Sequence, residues 1–98
     1  MYTIKTLKVF DDWLNSLKDS RTRIRLARRL ERASRGNLGD VASVGDHVFE
    51  MREFFGPGWR MYYIQYGKTL IVMLGGGDKS TQSKDINKAK RLAKSLEE

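Results

Sequence analysis

The sequence of 98 residues predicts one α+β domain, in which a strand and two helices precede three antiparallel strands and a last helix. Three observations predict this class. Apolar residues recur at helical spacing between residues 9 and 34, and again after residue 80. Between residues 46 and 74 the apolar residues instead follow a period of two, which is typical of strands. The short connections between these strands favour antiparallel neighbours, and 40% hydrophobic residues suffice for a single core over residues 1–98.

The charge balance indicates a partner of opposite charge. Nineteen Lys and Arg residues against twelve Asp and Glu give a net charge of +7, which attracts polyanions or a strongly acidic protein. The absence of cysteine excludes disulfides and thiolate metal sites, and a single histidine makes a zinc site unexpected. We therefore expect neither metal nor cofactor. The first residues lack a long apolar segment, so we expect no membrane contact and a cytoplasmic location.

The N-terminal elements follow from local patterns. The alternation in "MYTIKTL" predicts a strand rich in β-branched residues. Helical spacing then predicts a first helix from Val9, Phe10, Trp13, Leu14 and Leu17. The residues "KDS" interrupt that pattern, and a second helix is predicted from Ser20 to Ser34. The Gly and Asn residues of "RGNLGD" are typical of a helix end and a following turn.

The second helix carries an unusual number of arginines. A helical projection predicts a buried side formed by Leu26, Ala27, Leu30 and Ala33. The opposite side is an arginine face, formed by Arg21, Arg25, Arg28, Arg29, Arg32 and Arg35. Arg23 alone points towards the buried side. This arginine face is either a solvated helix face or a surface for phosphates or an acidic partner, because closely packed like charges repel each other unless something neutralises them.

Three strands are predicted in "HVFEMREFF", "WRMYYIQY" and "TLIVML", joined by "GPG" and by "GK". A two-residue turn that begins with Gly67 would be of type II′ and would fix the pairing of the last two strands. The predicted pairs are Tyr66–Thr69, Ile64–Ile71 and Tyr62–Met73 at this turn, and Phe55–Trp59, Phe54–Arg60 and Arg52–Tyr62 at the first. A slip of one residue would exchange the two faces of a strand.

This register predicts one apolar face and one mixed face. The apolar face, expected to pack against the two N-terminal helices, holds Phe49, Met51, Phe55, Trp59, Met61, Tyr63, Leu70, Val72 and Leu74. The other face brings together Glu50, Arg52, Arg60 and Tyr62. It is either a solvated face with cross-strand pairs or a phosphate site, because guanidinium groups bind phosphate oxygens in pairs and tyrosine can stack on a base.

The segment "LGGGDKSTQSKDI" looks like a phosphate-binding loop, but that motif requires glycine directly before the lysine. Here Asp78 precedes Lys79, where its carboxylate would repel phosphates, and only one helix follows, which argues against a nucleotide-binding sheet. The glycines instead end a strand, and Ser80 or Thr81 is predicted to cap an amphipathic helix. The N-terminus of that helix favours an anion.

Two segments resemble a known family. "FEMREFFGPGWRMYYIQ" (49–65) and "MLGGGDKSTQSKDINKAK" (73–90) resemble the HigB-like branch of the RelE/ParE superfamily of bacterial type II toxin–antitoxin toxins. The resemblance implies a RelE-like fold and metal-independent cleavage of ribosome-bound messenger RNA, by attack of a ribose 2′-hydroxyl on the neighbouring phosphate. It also implies inhibited translation and growth arrest. The implied partners are the ribosome, messenger RNA and a helix-turn-helix antitoxin. The toxin would bind operator DNA only through that antitoxin.

The resemblance also implies roles for individual residues. Arg52 and Arg60 match the family's sheet arginines and would stabilise the phosphorane. Lys79 matches a basic position near the family's active site, and Tyr62 would stack on a base or relay a proton. Independently of the resemblance, the dense phosphates of ribosomal RNA make it the expected partner of the arginine face, with the antitoxin as the alternative.

The acid and base are less clear from the sequence. Glu50 or Asp78 could accept the hydroxyl proton, although nearby arginines would lower the pKa of either carboxyl and weaken it as a base. Histidines that some family members carry are missing, and His47 at a strand start is expected to be a surface or packing residue. The general acid is unassigned. Two alternatives to the nuclease stay open: a ParE-like inhibitor of DNA gyrase on the same scaffold, and a non-catalytic RNA-binding module.

Overall fold

The computed structural model describes residues 1–97, so Glu98 lies outside the described range. The elements are β1 Thr3–Thr6, α1 Lys8–Ser16, α2 Ser20–Ser34, β2 Val41–Gly45, β3 Val48–Arg52, β4 Trp59–Tyr66, β5 Leu70–Asp78, a 3-10 turn Lys79–Thr81 and α3 Gln82–Leu96. The strands form one sheet in the order β1-β5-β4-β3-β2. β1 runs parallel to β5, and the other neighbours are antiparallel. The α+β prediction is confirmed, with a mixed sheet in place of a purely antiparallel one.

Strand β2 was missing from the predicted element order. It pairs with β3 and forms one edge of the sheet. The two strands are joined by Asp46 and His47, whose φ angles of 54° and 63° are those of a two-residue primed turn. His47 therefore lies in an exposed turn directly before β3, which agrees with the expectation of a surface residue. The two valines of "VASVG" were a weak strand signal, and Asp-His is a less familiar turn pair than Asn-Gly or Asp-Gly.

Helices cover both faces of the sheet. Against α1 and α2 lies a core cluster formed by Phe10, Leu26, Ala33, Met51, Met61, Tyr63, Ile71 and Met73. Against α3 lies a second cluster formed by Val48, Tyr62, Ile64, Val72, Leu74, Ala89 and Ala93. The prediction of an uncovered mixed face is therefore wrong, because α3 crosses that face and buries it.

The predicted register of β4 and β5 is wrong by one residue. The turn contains residues 67–69 and not two residues, so Ile64 pairs with Val72 and Tyr63 with Met73. A bulge beyond this point places Tyr62 opposite Gly75. Successive side chains of a strand point to opposite faces of the sheet. A slip of one residue therefore moves each apolar side chain of β5 from its predicted face to the other face. Leu70, Val72 and Leu74 consequently face α3, while Ile71 and Met73 face α1 and α2.

The register of β3 and β4 differs from the prediction by two residues. Their connection contains residues 53–58, and Arg52 pairs with Arg60 instead of Tyr62. A shift by an even number preserves the faces. Phe49, Met51 and Tyr63 therefore face α1 and α2 as predicted.

Helix α2 has its predicted bounds, and its first turn is capped by Asp19, which accepts from the Arg21 backbone N–H at 3.1 Å. Its buried stripe differs from the prediction, however. At i, i+4, i+7 and i+11 spacing the buried residues are Thr22, Leu26, Arg29 and Ala33, whereas Ala27 is exposed. Arg29 therefore does not belong to the exposed arginine face. Arg23 does turn inward, and it donates to the Leu17 carbonyl oxygen.

Candidate nucleic-acid interface

Three cations from separate parts of the sequence meet at one end of the sheet. Arg52 ends β3 and pairs with Arg60 near the start of β4, while Lys79 directly follows β5. Gly58 lies between the last two: a Cβ on it would be 3.5 Å from Lys79 Cβ and 3.6 Å from Arg60 Nη1. Arg52, Arg60 and Lys79 are hereafter the sheet-end cations. The family resemblance had joined Lys79 to Arg52 and Arg60, and the structure places all three at the same end of the sheet.

Arg60 is the buried member of this group. Its Nη1 atom donates to the carbonyl oxygens of Trp59 and Glu53 at 3.1 and 3.3 Å. Its Nε atom lies 3.6 Å from Oε1 of Glu50. Glu50 is buried as well, and Gln82 at the start of α3 donates to both of its carboxylate oxygens at 2.9 and 3.3 Å. The position of Glu50 therefore contradicts its prediction as an accessible base, because α3 seals it inside the protein.

Arg52 is more accessible, but a carboxylate already holds it. Its Nη2 atom lies 2.8 Å from Oδ1 of Asp40, and the two side chains are 36% and 39% exposed. The hydrogen bond from Arg52 lowers the pKa of the Asp40 carboxyl, and the same bond raises the pKa of Arg52. The Nε atom of Arg52 has no partner among residues 1–97. A phosphate that binds Arg52 must therefore replace Asp40 or share the guanidinium with it.

Arg29 has a structural role instead of the predicted surface role. Only 3% of the residue is exposed. Its Nη1 atom donates to Oε2 of Glu53 at 2.8 Å and to the Arg52 carbonyl oxygen at 2.9 Å. Its other nitrogens donate to the carbonyl oxygens of Leu38 and Asp40 at 2.8 to 3.1 Å. These bonds attach α2 to the segments that flank β2 and β3, so the side chain is unavailable to a partner.

Tyr62 cannot stack on a base in this structure. The residue is 0% exposed, and its hydroxyl has no hydrogen-bond partner in the described part of the chain. Burial raises the pKa of Tyr62, and the charges of Glu50 and Asp85 raise it further. The exposed aromatic residue at this end of the sheet is Phe54, which is 72% exposed and lies 5.5 Å from the Arg60 guanidinium carbon. Its position beside "GPG" was a loop signal from which exposure could have been predicted.

Asp78 acts as a cap and is poorly suited to the predicted role of base. Its Oδ1 atom accepts from the Ser80 backbone N–H at 2.8 Å and from the Ser80 hydroxyl. These two bonds lower the pKa of Asp78 and begin the short 3-10 turn. Thr81 occupies the N-cap position of α3, as predicted, but its hydroxyl donates to Oδ2 of Asp85 at 2.6 Å. A shallow depression of about 430 Å³ follows along Lys79 to Lys84.

The exposed arginines of α2 adjoin the sheet end through the loop 53–58. Five members of the predicted face are exposed: Arg21, Arg25, Arg28, Arg32 and Arg35. Arg25 lies over the ring of Phe55 in that loop, with its guanidinium carbon 3.8 Å from the ring centroid. The loop ends at Gly58, where an added Cβ would lie within 3.6 Å of Lys79 and Arg60. Exposed basic residues thus lie on both sides of this loop, on α2 and at Lys79 and Lys84, and together we call them the basic surface below.

Among residues 1–97, no three His, Cys, Asp or Glu side chains are grouped to hold a metal ion. Within the same range, every helix is too short or too polar to span a bilayer.

Comparison with known proteins places the chain in a family. It is 46% identical over 93 residues to an uncharacterized protein of Haemophilus influenzae, an alignment that covers 95% of this chain and 94% of that protein. At this identity and coverage, the chain belongs to the same family as the Haemophilus influenzae protein. No family model matches the chain. No solved structure matches it at a significant level.

Proposed function

We propose that this chain is a RelE-like toxin of a type II toxin–antitoxin module, of the HigB-like branch, and that it cleaves ribosome-bound messenger RNA without metal. The observation that carries the proposal is the convergence of the sheet-end cations beside the exposed ring of Phe54. Cations stabilise the charge that develops on a phosphate under attack, and an exposed aromatic ring can stack on a base. The resemblance of residues 49–65 and 73–90 supports the same conclusion.

The three cations would have different tasks. Lys79 is exposed and Arg52 is partly exposed, so these two would contact the scissile phosphate. Arg60 is enclosed by Glu50 and by backbone carbonyl oxygens, so it would hold the end of the sheet in place. Phe54 takes over the stacking role that the sequence assigned to Tyr62. The ribosome would largely align the 2′-hydroxyl with the phosphate. Correct orientation of the reacting groups can supply a large part of the reduction in activation free energy.

The basic surface suits ribosomal RNA. Its exposed arginines and lysines lie on α2 and on the corner after β5. Such a surface gives long-range attraction to phosphates that weakens steeply with salt. An antitoxin of the helix-turn-helix class would neutralise the toxin as a second partner, and operator DNA would be bound through that antitoxin.

The test is a cell-free translation reaction with mapping of message ends. The parent protein is expected to stop synthesis and to leave new 5′ ends in the message. Arg52→Ala and Lys79→Ala are expected to lose this activity and remain folded, because both side chains reach the surface. Lys68→Ala, in the exposed turn between β4 and β5, is the matched control and should behave like the parent. Intact messages in an arrested reaction would contradict the nuclease.

A second candidate is a gyrase inhibitor on the same scaffold. The burial of Glu50 and the capping role of Asp78 favour it, because neither carboxylate is placed to act as a base. Such an inhibitor would leave translation and message length unchanged and would block DNA supercoiling by purified gyrase. A supercoiling assay with the parent protein and Arg52→Ala separates the two candidates.

A further inference from the structure

Strand β5 has an open edge over its C-terminal half. The last residue of β1, Thr6, pairs with Met73, and the Leu7 N–H donates to the Met73 carbonyl oxygen before the chain enters α1. From Leu74 to Asp78, β5 therefore has no strand neighbour on this side within residues 1–97. Backbone N–H and C=O groups along such an edge keep the capacity to pair with an added strand.

Helices border this edge on both faces of the sheet. Val9 and Trp13 of α1 lie on one side of it, and Lys88, Ala89 and Leu92 of α3 lie on the other. The cavity between them has a volume of about 170 Å³. An engineered cavity of about 150 Å³ accepts a benzene ring, so this space can take one large apolar side chain. Because successive side chains of a strand point to opposite faces, an added strand would direct them alternately towards α1 and α3.

The glycines of this edge differ in what requires them. A Cβ on Gly76 would collide with the ring of Trp13, and a Cβ on Gly77 would collide with the carboxylate of Asp85. Packing of α1 and α3 therefore excludes a side chain at these two positions. Gly75 has no positive φ, and a Cβ on it would meet no described atom within 4 Å. Glycine weakens a strand, and it often marks a place where another backbone approaches closely. Gly75 thus indicates an approaching partner.

Basic side chains follow the rim of α3 beside this edge. Lys88 lines the cavity, and Arg91 is exposed one turn further along the same side of the helix. Neither has an ion-pair partner among residues 1–97. The acidic group in the cavity wall, Asp85, accepts from the Thr81 hydroxyl and lies against Gly77, near the end of the strand. The charges along the rest of the edge therefore favour an acidic ligand.

We propose that the edge of β5 binds an extended acidic segment of a partner protein, which adds a strand to the sheet and places one apolar side chain in the cavity. Main-chain hydrogen bonds would hold the segment, and its carboxylates would pair with Lys88 and Arg91. RNA fits less well, because its phosphates are acceptors and would face the strand carbonyl groups and Asp85. A second copy fits less well because each chain carries +7. This interaction does not depend on RNA cleavage.

Selection from a random-peptide display library on the immobilised full chain tests the proposal. The enriched peptides are expected to be acidic, with a large apolar residue among residues of high β-propensity. A synthetic copy of an enriched peptide should give saturable NMR shifts at the Leu74, Gly75 and Gly76 amides of the ¹⁵N-labelled protein. Enrichment of no acidic sequence, or shifts confined to other surfaces, would overturn the proposal.

Backbone methylation of the selected peptide separates strand pairing from charge attraction. Methyl groups on alternate peptide nitrogens remove the donors from one edge of the peptide and leave its charges unchanged. Methylation of the edge that pairs with β5 should weaken binding at least about tenfold, because several hydrogen bonds are lost together. Methylation of the other edge should weaken binding much less. Equal affinity of the two methylated peptides would overturn strand addition.

Variants of the protein locate the bound peptide. Gly75→Val fills the open space without backbone strain and should weaken binding. Lys88→Glu should weaken it as well. Lys94→Glu makes the same charge change at an exposed position of α3 that lies about 120° around the helix from Lys88, and it should retain most of the affinity. Equal losses from the two charge reversals would overturn the site. Thermal unfolding checks each variant, and if Gly75→Val does not fold, the two lysine variants decide.

Two further titrations test the other occupants of this edge. Single-stranded RNA that displaces the peptide and shifts the same amides would assign the edge to RNA and overturn the proposal. Shifts of these amides that grow with protein concentration in the absence of peptide would assign it to a second copy. Because these assays measure binding, their failure is distinct from a failure to cleave messages.

Discussion

The Nε atom of Arg60 lies 3.6 Å from Oε1 of Glu50, and both residues are almost fully buried beneath α3. Gln82 in the first turn of α3 donates to the same carboxylate. The pair therefore links β3, β4 and α3 at the end of the sheet where the other cations emerge. A pair so enclosed supports the site from within, while Arg52 and Lys79 remain accessible.

Arg60→Ala should destabilise the protein strongly. Removing one partner leaves Glu50 as an uncompensated buried charge, which typically costs about 3–5 kcal/mol of unfolding free energy. The double variant Glu50→Gln, Arg60→Met removes both charges and should recover most of that loss. Urea unfolding of the parent, the single variants and the double variant measures the coupling. If the Arg60→Ala protein were as stable as the parent, the ion pair between Arg60 and Glu50 would not form in solution.

Asp40→Asn should strengthen RNA binding. Arg52 holds the pKa of Asp40 below its ordinary value, so this carboxylate is charged at neutral pH and competes with phosphate for the guanidinium. Its removal frees one cation and should steepen the dependence of log K on log salt by about 0.7 for single-stranded RNA. Asp12→Asn, which breaks the exposed pair with Lys8, is the charge-matched control. An equal gain in both variants would indicate a general charge effect.

Tyr62→Phe should fold like the parent. Its unfolding free energy should fall less steeply as the pH rises above 10. The pKa of Tyr62 is raised above the ordinary 10.0, so the stability that its neutral form contributes is present below pH 10 and is lost as the pH rises further. At pH 7 the variant should gain about 1 kcal/mol, because an unpartnered buried hydroxyl is removed. Thermal unfolding between pH 7 and 11 is the measurement. Tyr63, whose pKa burial also raises, should leave a residual alkaline decline.

On the proposed toxin function, Asp78→Asn should arrest growth as well as the parent does. Asparagine keeps an acceptor for the Ser80 N–H, whereas Asp78→Ala loses the cap and about 1 kcal/mol of stability. Growth arrest on induced expression, together with thermal unfolding, compares the two variants. A folded but harmless Asp78→Asn protein would return the carboxylate to consideration as the base.

Reversing Arg25, Arg28 and Arg32 to glutamate should weaken ribosome association and toxicity more than antitoxin binding. All three side chains are exposed, so the change acts on the surface charge. An acidic antitoxin segment would also use apolar anchors, and charges at an interface rim affect on-rate more than affinity. Co-sedimentation with ribosomes and antitoxin pull-down at two salt concentrations compare the partners. Loss of the antitoxin with ribosome binding intact would assign this face to the antitoxin.

The residues of the candidate site that the sequence did not predict are those defined by distant partners. Asp40 was assigned to a turn, and it restrains Arg52 across twelve positions of sequence. Gln82 was assigned to the first turn of a helix, and it reaches Glu50 thirty-two positions away. Local patterns report helix ends and turns, but they carry no information on which loop a side chain will meet after folding.

The sequence by itself determined the class, the three helices and the segments of β1, β3, β4 and β5, because periodicity and capping residues act within a few positions. It also placed Arg52 and Arg60 on one face of the sheet, while Lys79 was joined to them only by the family resemblance. Only the tertiary structure decided the faces of β5, since one extra residue in a turn reverses them. It also decided that α3 covers Tyr62 and Glu50 and that Arg29 is buried. These outcomes depend on packing between residues that are distant in the sequence. A charged side chain can be buried only where such residues supply its hydrogen bonds and its opposite charge.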